Sequence, residues 1–180
     1  MSQTAVSNEI PQLLRMEGID KSFPGVHALD TCRFDLRAGE VHALVGENGA
    51  GKSTLMKVLT GIYQKDAGEI YIDGKLAEIH HTRDAQQLGI SIIHQELNLM
   101  LDLTVAENIF IGREALRGWV LDKKKQNQMT RDLLRSLSMD IDPATPIKYL
   151  TVAKQQMVEI AKALSYQNTR ILIMDEPSAA

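Results

Sequence analysis

The chain has 180 residues, 44% of them apolar and 24% charged, with a formal net charge of −3. These values suit one ordinary globular domain or a large part of one, and they exclude a disordered or fibrous polymer. The acidic balance argues against nonspecific nucleic-acid binding, the single cysteine (Cys32) excludes an intrachain disulfide, and no run of 18 apolar residues offers a membrane span.

In chain order, residues 1–11 read as a loose polar tail without the apolar segment of a signal peptide. Residues 13–19 suit a first strand, residues 21–25 a turn, and residues 33–36 a further strand. Residues 37–40 form a tight connection into the apolar run Val41-His42-Ala43-Leu44-Val45, which reads as a buried strand. A helix is predicted over 53–59. Residues 67–74 read as turn, strand and turn, with the alternation of an antiparallel edge. Residues 82–88 suit a short helix, and the β-branched run at 89–94 a buried strand.

From about 97 to 165 the character becomes helical. Thr104 and Glu107 stand at capping-box spacing before a short helix ending at 109. A longer helix is predicted over 122–137, with Met129, Leu133, Leu134 and Leu137 apolar. A third is predicted over 152–164, with Val152, Met157, Ile160, Ala161 and Leu164 near helical spacing. Residues 170–174 then form a buried strand. The pattern is an α/β sheet core with a helical insertion, and no internal repeat interrupts it.

The densest chemical signal is Gly46-Glu47-Asn48-Gly49-Ala50-Gly51-Lys52-Ser53, followed by Thr54, which fills the phosphate-loop pattern G-x-x-x-x-G-K-[ST] at every fixed position. Glycines let the backbone curl so that N–H groups point at a phosphate, Lys52 supplies a cation, and Ser53 offers a hydroxyl to Mg²⁺. The helix beginning here adds the positive end of its dipole. A second signal is the apolar strand at 171–174 followed by Asp175 and Glu176. Asp175 suits Mg²⁺ and Glu176 an attacking water, which points to ATP hydrolysis rather than binding alone. The 123 residues from Lys52 to Asp175 are too many for a small GTPase, and no Asn-Lys-x-Asp pattern is present. His80, His81 and His94 lack the companions of a metal site, and Lys123-Lys124-Lys125 reads as a solvated helix face.

These motifs resemble the ATP-binding subunit of ATP-binding-cassette (ABC) transporters over nearly the whole chain. Residues 46–53 match the Walker A loop and residues 171–176 the Walker B strand. Gln95 sits where that family places its Q-loop glutamine, and residues 150–164, including Thr151, where it places its signature and following helix. Phe23 sits where an aromatic stacks on adenine. The stretches at 21–26, 46–55, 61–63, 94–99 and 156–164 resemble monosaccharide importers of the ribose, galactose and arabinose type, in which one polypeptide carries two cassettes.

The resemblance implies a phosphate-loop ATPase with a RecA-like core, an antiparallel β subdomain and a helical subdomain at about 97–165, all within an incomplete cassette spanning 12–180. It implies ATP bound by Phe23, Gly46–Thr54 and Thr151, with Ser53, Gln95 and Asp175 at Mg²⁺. Lys52, Gln95 and Glu176 would serve catalysis. Implied partners are a second cassette, transmembrane permease subunits and, indirectly, a periplasmic sugar-binding protein; nucleic acid is not among them. The implied place is the cytoplasmic face of the bacterial inner membrane. Two departures stand out: Val152, Ala153 and Lys154 replace two glycines and a glutamine of the general signature, and the chain stops at Ala180, where the family's D-loop begins. The 180 residues alone are therefore expected to bind nucleotide weakly and hydrolyse little. The alternatives are a non-catalytic remnant of such a subunit and a soluble cassette acting on nucleic acid or ribosomes.

Overall fold

The computed structural model describes residues 12–93, 97–166 and 168–174. It divides into two compact units, Met1–Leu88 and Gly89–Ala180.

The first unit is built on an antiparallel sheet. Strands β1 (Gln12–Phe23) and β2 (Val26–Arg37) form a hairpin closed by Pro24 and Gly25. Both run longer than their apolar patterns suggested, because mutual pairing carries the ladder through Lys21, Ser22 and His27, whose polar side chains need no burial. Strand β3 (Ala67–Ile72) pairs with the other side of β1, and β4 (Lys75–Leu76) pairs with β3. The order is β2-β1-β3-β4. So β3 is antiparallel as expected but is an inner strand, since the chain doubles back at Asp73 and Gly74 to cover it. Alternate residues Leu14 and Met16 pair with Ile72 and Ile70, and all four are buried, which is the two-residue repeat of a half-covered sheet. Helix α1 (Lys52–Leu59) buries Leu55, Val58 and Leu59, and α2 (Thr82–Gln87) buries Ala85.

One expectation fails. Residues 41–45 form no strand, and Val41 and Val45 are 99% and 89% exposed. A buried strand needs ladder partners for its N–H and C=O groups, and no described strand pairs with this run. The apolar pattern states a preference that no neighbour here satisfies.

In the second unit, β5 (Ile90–Ile93) pairs in parallel with β8 (Ile171–Met174), in the register Ile90↔Ile171 to Ile93↔Met174. Between them come α3 (Val105–Ile109), a small hairpin of β6 (Leu116–Arg117) and β7 (Val120–Leu121), α4 (Lys123–Ser136), a 3₁₀ turn at Ile147–Tyr149, and α5 (Val152–Leu164). Helix α3 packs against α4 and α5, and α5 lies on β5. Their core gathers Val105, Ile109, Leu134, Ile147, Val158 and Ala161. Met129, Val152 and Met157 sit outside it, partly exposed, while the polar Gln126 and Thr130 are buried. Their bonds explain this: Gln126 Nε2 donates to the Ala106 carbonyl, and Thr130 Oγ1 to the Gln126 carbonyl. Asn108 is likewise buried; it accepts from the Met100 N–H and donates to the carbonyls of Met100 and Thr104, holding the loop before α3.

The expected capping box is present. Thr104 Oγ1 accepts from the Glu107 N–H at 3.2 Å, and the Glu107 carboxylate accepts from the Thr104 N–H at 2.9 Å. The Thr104 N–H and then its hydroxyl hold the Glu107 carboxyl below its ordinary value of 4.5; burial opposes them, and Lys123 adds a lesser lowering. A lowered carboxyl pKa adds stability above the unfolded value, which disappears as pH falls through the folded value. Replacing Glu107 by Gln is therefore expected to cost most near neutral pH, about 1 kcal/mol or less, and progressively less below pH 4.5. Urea unfolding of both proteins across that range checks this; a difference independent of pH contradicts it.

Candidate functional site

The phosphate loop is an exposed turn running into α1. Gly49 and Gly51 take φ of 84° and 83°, the left-handed region, and the Ala50 N–H donates to the Glu47 carbonyl at 3.2 Å. Gly51 is the N-cap of α1 and ends beneath strand β2. A Cβ there would lie 2.6 Å from the Ala28 carbonyl oxygen and 2.9 Å from Leu29 Cδ2. Position 51 thus demands glycine twice, for its backbone angle and for the strand behind it. At Gly49 a Cβ would meet nothing within 4 Å. The sequence pattern gave the glycines but not this backing strand.

Helix α1 has no side-chain cap and no acidic residue in its first turn. The first N–H groups of a helix lack intrahelical acceptors, so this end is suited to an anion. Lys52 folds back over the loop, its Nζ donating to the carbonyls of Gly46 at 2.6 Å and Glu47 at 2.9 Å. Among the described residues the ammonium is held on the loop by two neutral acceptors, with no carboxylate paired to it. Ser53 is exposed and Thr54 half-buried; Glu47 and Asn48 are exposed with the rest of the loop.

Phe23 ends β1. Its ring meets Tyr63 edge-to-face with centroids 5.1 Å apart, and Lys21 Nζ lies 5.6 Å from the Phe23 ring. Asp66 fixes this corner: one carboxylate oxygen accepts from Lys21 Nζ and the other from the Ser22 N–H, both at 2.6 Å. These bonds hold the Asp66 carboxyl below its usual value. Sequence reasoning missed Tyr63 and Asp66; an aromatic soon after α1, in Gly61-Ile62-Tyr63, was the available signal.

Thr151, in the second unit, caps α5, its hydroxyl accepting from the Lys154 N–H at 3.4 Å. Thr151, Val152, Ala153 and Lys154 are all exposed. Strands β5 and β8 end level with each other at Ile93 and Met174. Gln95, Asp175 and Glu176 lie outside the described residues.

The sequence profile of the ABC transporter family matches residues 29–179. The chain belongs to the ABC transporter family. It is 62% identical over 175 residues to a Burkholderia cenocepacia (strain HI2424) protein provisionally named for ribose, galactose and methyl galactoside import, covering 96% of this chain and 34% of that protein. It is 54% identical to a ribose import ATP-binding protein of Streptomyces avermitilis, covering 93% of this chain and 32% of that one. It is 51% identical to a xylose import ATP-binding protein of Geobacillus kaustophilus, covering 93% and 34%. The chain therefore spans about a third of the length of the curated relatives it matches. Among solved structures, the ADP conformation of an ATP-binding cassette of an ABC transporter superposes with a TM-score of 0.81 at 28% identity, covering 94% of this chain and 70% of that one. A nucleotide-free cassette gives 0.80 at 28% identity, with the same coverage. The fold is accordingly the α/β fold of an ABC-type phosphate-loop ATPase.

The two glycines separate angle from contact. Gly51→Ala in this ABC-family chain is expected to destabilise it by more than about 2 kcal/mol, and Gly49→Ala by about 1 kcal/mol. Urea denaturation of the two variants checks the order; equal losses contradict the backing role of Ala28.

Proposed function

We propose that this chain is the first-cassette segment of an ATP-binding and ATP-hydrolysing subunit that energises import of a simple sugar. The observation that carries the reading is the uncapped start of α1, with Lys52 resting on the carbonyls of Gly46 and Glu47. An anion entering there replaces two neutral carbonyl acceptors with a fully charged one, so the ion–dipole bonds of Lys52 become an ion pair. Three relatives named for sugar import, at 51–62% identity, support the transport side.

In this reading the loop from Gly46 to Thr54 cradles the phosphates through its N–H groups, and Lys52 turns from the loop carbonyls to the β- and γ-phosphates. Phe23 stacks on adenine, and Tyr63 keeps that ring in place. Ser53 offers a hydroxyl to Mg²⁺, with Asp175 and Gln95 completing its protein ligands; the ion's chemistry is to neutralise phosphate charge. Glu176 polarises the attacking water. The exposed N-terminus of α5, with Thr151 at its cap, faces the nucleotide of a second cassette. The subdomains are an antiparallel β part, a RecA-like core and a helical part at about 97–165, following a tail at 1–11. Permease subunits receive the resulting motion and a periplasmic sugar-binding protein delivers the sugar. Among the described residues no helix is long and apolar enough to cross a membrane. The subunit in this reading sits peripherally on the cytoplasmic face.

Calorimetric titration of Mg·ATP into the full-length gene product carrying this segment tests the reading. Saturable binding is expected, weakened about tenfold to a hundredfold by Lys52→Ala, since a hydrogen bond to a charged group contributes about 1.5–3 kcal/mol. Unchanged affinity in the variant contradicts the proposal.

A further inference from the structure

The hairpin of β6 and β7 carries a surface that nucleotide chemistry does not use. Trp119 stands in its two-residue turn after Gly118 and is fully exposed, at 102%. Leu116, Val120 and Leu121, which make up most of the two strands, are 59%, 69% and 51% exposed. The hairpin pairs with no other described strand. A lone two-stranded ribbon with its apolar side chains in water is marginal by itself, so folding gives no reason for this composition.

The charge beside it is as unusual. Asp122 closes the hairpin, its N–H donating to the Ala115 carbonyl, and caps α4 by accepting from the Lys125 N–H. Lys123, Lys124 and Lys125 then fill the first turn of α4, which holds no acidic residue. Cations at a helix N-terminus oppose the macrodipole, so the helix is not their beneficiary. Lys123 has partial relief from Glu107 at 3.3 Å, with its side chain still 75% exposed. With exposed Arg117 in β6, four cations gather here in a chain whose net charge is −3.

A fully exposed tryptophan, aliphatic neighbours and a lysine cluster are the features of a segment that enters the headgroup layer of an anionic membrane. The indole settles at the water–lipid boundary, the aliphatic side chains leave water, and the lysines meet lipid phosphates. From this charge complementarity we infer that the β6–β7 hairpin is a membrane-surface anchor for anionic lipid. It goes beyond the nucleotide reading and requires neither ATP nor a bound partner.

Trp119 is the only tryptophan in the chain, so its fluorescence reports on this hairpin alone. The full chain is titrated with vesicles of phosphatidylglycerol and phosphatidylcholine in equal parts, without nucleotide. The expected result is a saturable blue shift, absent with pure phosphatidylcholine and reversed by high salt. Replacing Lys123, Lys124 and Lys125 together with Gln is expected to weaken binding on the order of a hundredfold. Since all three are exposed, circular dichroism should stay unchanged. Trp119→Ala is expected to lower the fraction that co-sediments with the same vesicles. No shift with anionic vesicles, or an equal shift with neutral ones, overturns the inference. So does a shift that appears only when a membrane protein is reconstituted in the vesicles, which assigns the surface to a protein partner.

Discussion

The phosphate loop depends on a close approach: Gly51 lies against the Ala28 carbonyl of β2, with no room for a Cβ between them. That contact sets where α1 begins, and therefore where its unbonded N–H groups and the Lys52 ammonium stand. It also ties the phosphate loop to the hairpin whose tip carries Phe23. Tyr63 and Asp66, which follow α1, reach back to the same tip. The sheet is thus a ruler that fixes the phosphate loop and the Phe23 ring on one support.

Much of this was legible in the sequence because it is local. The helix at 152–164 was readable from its 3.6-residue repeat, and its observed bounds are Val152–Leu164. Thr104 and Glu107 announced a cap that depends on residues three apart. The glycines of the loop encode backbone angles, which belong to single residues. What was not legible is what distant segments supply. The carbonyl behind Gly51 comes from 23 positions earlier, and Tyr63 reaches Phe23 across 40 positions. Burial of Gln126 and Thr130 depends on acceptors that an apolar pattern does not display. The hairpin of β6 and β7, with two residues in each strand, is too short for periodicity to register.

The run at 41–45 shows the same limit from the other side. Its apolar sequence has the character of a buried strand, yet strand structure belongs to a ladder and not to a segment. Where no described strand offers a ladder, the run stays exposed. The parallel pair β5 and β8 illustrates the opposite outcome: two mostly apolar runs, with paired residues 81 positions apart in the chain, find each other in register along their full length.

The most direct measurement is of the loop amides themselves. In ¹H–¹⁵N spectra of the full-length protein titrated with Mg·ATP, the account predicts saturable shifts at Gly49, Gly51, Lys52 and Ser53, all following one binding curve. A smaller response is expected at Leu29 behind the loop. Shifts confined to other parts of the molecule, with these four amides unmoved at saturating nucleotide, would contradict it.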